Sequence, residues 1–239
     1  MNTSVQPTST ATPMPQAMPS RRPARWLLRF PAVAGITYTV VWIVGLAIWP
    51  INLAVNATDA EVISAFSGHQ AVGMLQYLLV EGIAGLALAG VVLALGRASR
   101  QRGANQLGLA AVVVGLSAAA VSMSQCVLGV LMSGWLIPQH ATSQVGNIFS
   151  LVNRLDGVKM FLLALLAIVG VGLIRQVRVL PRWLAFAGVL LALAMLASGV
   201  GYLLLNPALS MAAAVSLPLV LIWVTGAGLS LAWANRHRG

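Results

Sequence analysis

Long apolar runs alternate with short polar gaps along the whole chain. Six runs can be delimited, at residues 32–49, 72–95, 107–136, 158–174, 183–205 and 215–233. A helix needs about 20 apolar residues to cross the hydrocarbon core of a bilayer. Barrel strands alternate apolar and polar residues, and these runs do not, so the pattern predicts membrane-spanning helices. The third run is longer than a crossing requires and must tilt or project. The fourth is short. The fold expected is an all-α polytopic bundle of six transmembrane helices, spanning residues 26–239. Residues 1–25 form a Thr, Ser and Pro-rich tail ending in a basic collar, a composition that cannot build a core.

Two of the gaps carry helical signals. In the first outer loop, Thr58-Asp59-Ala60-Glu61 has the spacing of a capping box. Val62, Ile63 and Phe66 then share one face, and Gly68 can end the turn. This predicts a short amphipathic helix lying on the outer leaflet. In the second outer loop, Val145, Ile148, Phe149, Val152 and Leu155 follow helical spacing, with Ser143 able to cap. That helix either stands alone as a second short amphipathic segment or runs directly into the short fourth span. Arg25-Trp26-Leu27 and Arg182-Trp183-Leu184 open the first and fifth runs, and Pro50, Pro138 and Pro207 close the odd-numbered ones. This reads as three hairpins of one orientation, unlike the inverted repeats of many secondary transporters.

Composition agrees with a lipid solvent. Charged residues make up 8% of the chain and hydrophobic ones 59%, against about 25% charged in a soluble domain. The net charge of +10 is placed by topology. Of the 14 Lys and Arg residues, all but Arg154 and Lys159 precede the first run, follow the last, or fall in the second and fourth gaps. By the positive-inside rule both termini are cytoplasmic. The arginines then face anionic phospholipid headgroups. No basic and aromatic interleaving of the kind that binds strands appears, so nucleic acid is excluded as a partner. Cys126 stands alone, which rules out an intrachain disulfide and a zinc site of several thiolates. The Arg-rich, Lys-poor usage points to a bacterial gene and hence to the plasma membrane, where the Asn56-Ala57-Thr58 sequon has no role.

The candidate chemistry is confined to a few polar groups inside the runs. Glu81 lies about two turns into the second run, where a carboxylate is expensive and faces the bundle interior with a partner. Tyr77 shares its face by i, i+4 spacing, and Gln76 lies on the neighbouring one. The segment Asn153-Arg154-Leu155-Asp156-Gly157-Val158-Lys159 holds both basic residues that break the charge rule. Either Lys159 pairs with Asp156 at i, i+3, or Lys159 pairs with Glu81 and Arg154 with Asp156. Gln125 lies with Ser122 and Gly129 on one stripe of the third run, a pattern of close helix packing. These seven residues, Glu81, Tyr77, Gln76, Lys159, Asp156, Arg154 and Gln125, form the candidate intramembrane polar site. His69 and His140 sit near span ends and read as interfacial residues rather than haem or metal ligands. There is no phosphate-cradling glycine loop, HExxH or nucleophile elbow. No cofactor and no catalytic residue is therefore expected.

In its hydropathy from Trp26 to Arg238, its Trp49-Pro50 pair, its capped outer helix and its Asn153-Arg154-x-Asp156-Gly157-x-Lys159 segment, the chain resembles the small six-span bacterial membrane proteins, actinobacterial in type, catalogued as domains of unknown function. The resemblance implies a fold and a compartment, and no activity. The function expected is that of a binding, regulatory or accessory membrane protein, alone, as a homo-oligomer or with a membrane partner. The alternative is a small-solute or proton-coupled carrier using Glu81. A membrane redox enzyme ranks third, because ligand sets are missing.

Overall fold

A computed structural model describes residues 25–49, 53–139 and 142–236. The tail before residue 25, Pro50, His140 and the last three residues lie outside that set, as do the side chains of the basic collar and of Ser143. Among the described residues the structure is all-helical. In chain order the elements are α1 (Arg25–Ile48), α2 (Asp59–Phe66), α3 (Gln70–Tyr77), α4 (Ala84–Arg100), α5 (Asn105–Leu131), α6 (Thr142–Val177), α7 (Trp183–Leu203), α8 (Pro207–Ser210) and α9 (Ala213–Arg236). A π-helical turn, Leu78–Ile83, joins α3 to α4, and a second, Met132–Leu136, extends α5. Six of the resulting helices are long and apolar enough to cross a membrane. The protein is thus membrane-embedded and multi-pass.

The spans close into a ring. Each packs on its neighbours in sequence, and α9 returns to pack against α1. Small residues let the backbones approach. A Cβ on Gly157 of α6 would lie 2.8 Å from the Gly199 carbonyl of α7. One on Gly108 of α5 would lie 3.2 Å from the Gly96 carbonyl of α4. Gly35 and Gly228 meet in the same way where α1 crosses α9. That seam is tied further by Thr39 and Thr225, whose hydroxyls are 2.7 Å apart, and by the Thr225 hydroxyl donating to the Gly35 carbonyl at 2.9 Å. Lipid is as apolar as leucine, so close packing of small residues and such hydrogen bonds, rather than hydrophobic burial, hold spans together. The outward face is correspondingly apolar: Val33, Leu86, Phe186 and Leu193 are all more than half exposed. Exposed Trp183 and Trp233 mark the arginine-rich end and exposed Trp135 the other, the positions that interfacial tryptophans take.

The loop helices differ from the simplest reading of the pattern. Helix α6 runs unbroken for 36 residues, about 54 Å at 1.5 Å per residue, well beyond the ~30 Å hydrocarbon core. The amphipathic stretch from Val145 to Leu155 is therefore the first part of this long helix. Helix α2 has both halves of its capping box, as Thr58 and Glu61 bond reciprocally. Its apolar face is covered by protein instead of lipid. Val62 and Phe66 are sealed against Val145 and Phe149 of α6, with Met132 and Ile137 beneath. Trp49 meets Phe66 edge-to-face, with ring centroids 4.8 Å apart. This first part of α6 supplies an apolar wall that α2 would otherwise have to find in the membrane.

Candidate functional site

Glu81 sits in the π-helical turn of the second span. It is roughly 17 Å along the helix from Gln70 and 28 Å from Arg100, so it is deep in the bundle. A π turn inserts an extra residue into the repeat and re-aims the side chains that follow it. Glu81 is buried, 5% exposed, and faces Lys159 of α6, which is 6% exposed. The Lys159 ammonium donates to Glu81 Oε1 at 2.7 Å and Oε2 at 2.8 Å. It also lies 2.7 Å from Asp156 Oδ1, one turn earlier on α6. Lys159 thus takes both carboxylates at once, combining parts of the two pairings that spacing alone allows. Arg154 points away and is exposed. Three charges held this closely satisfy the condition for burying ions, which is that each be paired and hydrogen-bonded.

The remaining candidates serve the frame around these charges. Gln76 Nε2 donates to the carbonyls of Gly45 and Trp49, at 3.1 and 3.0 Å, closing the carbonyl end of α1. The Tyr77 ring packs flat into the notch left by Gly129 on α5. Gln125 is fully buried and donates to the Val152 carbonyl at 3.1 Å, locking α5 to α6 just above Asp156. Its Oε1 has no hydrogen-bond partner among the described residues. Asn153 Nδ2 bonds the Phe149 carbonyl at 3.1 Å and reaches the Val55 carbonyl at 3.5 Å, which ties α6 to the segment between α1 and α2. His69 stacks on Trp49 with centroids 5.7 Å apart. Among the described residues no three His, Cys, Asp or Glu side chains gather in a metal-binding set.

A cavity of roughly 180 Å³ lies on the axis of the ring, walled by Asp156 and Lys159. All six spans line it: Tyr38 and Trp42 from α1, Ala84 and Leu88 from the second, Ser122 from the third, Met160 from the fourth, Tyr202 from the fifth, Ser216 and Val220 from the sixth. The ammonium stands 6.0 Å from the centroid of the Trp42 ring. Reasoning from the sequence assigned no part to Tyr38, Trp42, Tyr202 or Ser216. One signal was present, since Tyr38 and Trp42 stand at i, i+4 as polar-tipped aromatics in the middle of a span, where interfacial anchoring cannot account for them.

Outside the spans, one carboxyl is electrostatically tuned. The Thr58 amide donates to Glu61 Oε2 at 2.8 Å and the Thr58 hydroxyl does so at 2.9 Å. These bonds hold the Glu61 carboxyl below its ordinary range. No family model matches the chain, and no curated protein or solved structure matches it either.

Proposed function

We propose that this chain is a binding protein of a bacterial plasma membrane, with both termini cytoplasmic, whose site is the axial cavity beside Lys159. The observation that carries this reading is the meeting of all six spans around one cavity with an ion cluster in its wall. A cluster that served only as internal glue would need neither the space nor contributions from every helix. The chemistry of the walls favours a ligand class. With both carboxyls ionised, Glu81 and Asp156 bring two negative charges to one ammonium, which leaves one negative charge in excess inside the membrane, where net charge is costly. The rings of Tyr38, Trp42 and Tyr202 offer faces that attract cations. A small organic monocation fits both properties.

A second reading is supported by the same surplus charge. A proton can neutralise it as well as a cationic solute can, and a site at which the two exclude each other is the core of a proton-coupled carrier. Native mass spectrometry of the purified protein, with an ultraviolet-visible spectrum of the same sample, tests the binding reading. The expected result is a retained cationic small molecule that Asp156→Asn no longer holds. An apo mass carrying phospholipid alone, in both proteins, would contradict a solute site and return the cluster to a purely structural role.

A further inference from the structure

A larger cavity than the axial one lies at the arginine-rich end, with a volume of roughly 670 Å³. It opens between Ala32 of α1, the α6–α7 connection and the last turns of α9. Its wall has two halves of opposite character. Arg102, Arg178 and Arg182 line one side, while Pro181, Leu229 and Trp233 supply an apolar slope. None of the four Asp and Glu residues of the chain, Asp59, Glu61, Glu81 and Asp156, belongs to the elements that line it.

The basic half is held on a fixed frame. Arg102, from the turn between α4 and α5, donates through Nη1 to the Val177 carbonyl at 3.3 Å and to the Arg178 carbonyl. These carbonyls, at the last residue of α6 and the one after it, lack helical partners. Arg178 itself lies in the left-handed region, with φ of 49°. A non-glycine residue there costs energy and persists only where its surroundings hold it. The Arg102 clamp does so, and the reversal of the chain at Arg178 sets Arg178 and Arg182 on the same cavity.

The level in the membrane identifies the occupant. Trp233, which lines the cavity, is 66% exposed, and Trp183, next in the chain to the lining Arg182, is 52% exposed. Tryptophans in that position sit at the headgroup layer. The apolar slope continues onto the lipid-facing side of α1 and α9, where Val33 is 59% exposed and Leu229 46%. Arginines on a held backbone above and apolar helix surface below match an amphiphile with a phosphate head. Basic pockets between spans at this level bind anionic lipid heads, and arginine suits phosphate through bidentate hydrogen bonds. We propose that this cavity seats the headgroup phosphate of an anionic phospholipid, with the acyl chains lying along α1 and α9. The proposal is independent of the axial cavity.

The test is native mass spectrometry of the delipidated full-length protein, titrated with phosphatidylglycerol and with phosphatidylcholine of the same acyl chains. Retention of phosphatidylglycerol on the order of tenfold above phosphatidylcholine is expected. Replacing both Arg178→Gln and Arg182→Gln removes that preference, while Arg175→Gln, outside the cavity, keeps it. Glycerol phosphate, which has no acyl chains, leaves the bound lipid in place at equal concentration. Equal retention of the two lipids by the wild-type protein overturns the proposal, and this arm decides the matter even if the double variant fails to fold. So does an equal loss of preference in Arg175→Gln, which would make the effect one of general surface charge. Displacement by glycerol phosphate would make the site one for free phosphate esters and also overturns it.

Discussion

The axial cavity and the arginine-rich cavity treat charge in opposite ways. On the axis, Lys159 is compensated by carboxylates of the same chain at 2.7 Å on either side. At the arginine-rich end, Arg102, Arg178 and Arg182 line a space almost four times as large, with no Asp or Glu among its described lining residues. Distance from water accounts for the contrast. In the low dielectric of the bundle interior an uncompensated ion costs several kcal/mol, so the chain supplies its own counter-ions. At the arginine-rich end the lipid phosphate proposed above would be the counter-ion of Arg178 and Arg182. A surplus of one negative charge on the axis is therefore informative, whereas a surplus of positive charge at the interface is the ordinary condition of a membrane protein.

The sharpest way to break this contrast is to remove the interior cation. Lys159→Met leaves the buried Glu81 carboxylate and the half-buried Asp156 carboxylate without their shared cation. The expected loss is about 3–5 kcal/mol of stability, the range for removing one partner of a buried pair, read as a lowered melting temperature in detergent. Glu81→Gln costs less, because Asp156 still pairs with the ammonium, and combining it with Lys159→Met restores part of the loss. Unchanged melting temperatures in both single variants would remove the ion cluster from any structural role. Gly157→Leu comes next. It drives a side chain into the Gly199 carbonyl and should cost about 1–3 kcal/mol by overpacking, visible in the same melting experiment. Arg178→Gln at the interface should change stability by less than about 0.5 kcal/mol in a neutral detergent, as surface substitutions do. An interfacial variant as damaging as Lys159→Met would erase the distinction between the two regions.

The smallest effect expected is a pH dependence confined to α2. The Glu61 carboxyl is held below its ordinary value by the Thr58 amide and hydroxyl. A depressed carboxyl contributes its stabilisation in full above its unfolded value, and loses it as pH falls through the lower folded value. The α2 amide resonances should thus keep their helical shifts through neutral and mildly acidic pH and lose them below the usual carboxylate range. In Thr58→Ala the loss moves to higher pH. An α2 whose shifts ignore both the acid and the substitution would show that its packing on α6 alone holds it.

The spans were legible because each is a contiguous apolar run, and contiguity survives without any knowledge of neighbours. The π turn at Leu78–Ile83 was not, since a single inserted residue leaves no period in Leu-Leu-Val-Glu-Gly-Ile to detect. The continuity of α6 could be seen only as one of two options, because the polar segment from Asn153 to Lys159 looks the same as a loop or as a helix with one charged face. Glu81, Asp156 and Lys159 stand out in sequence by charge within apolar surroundings. Their distances depend on a ring closure that glycines scattered over six helices decide. Tyr38, Trp42 and Tyr202 were hidden for the opposite reason: aromatic residues are unremarked in a membrane span, and only the cavity gives them a common address.

Equilibrium binding of radiolabelled choline, a small quaternary ammonium probe, to the purified full-length protein tests the central claim most directly. The account predicts saturable binding with one site per chain, displaced by tetramethylammonium and not by acetate, lost in Asp156→Asn and retained in Arg178→Gln. Absence of saturable binding, or binding that Asp156→Asn leaves intact, would contradict it.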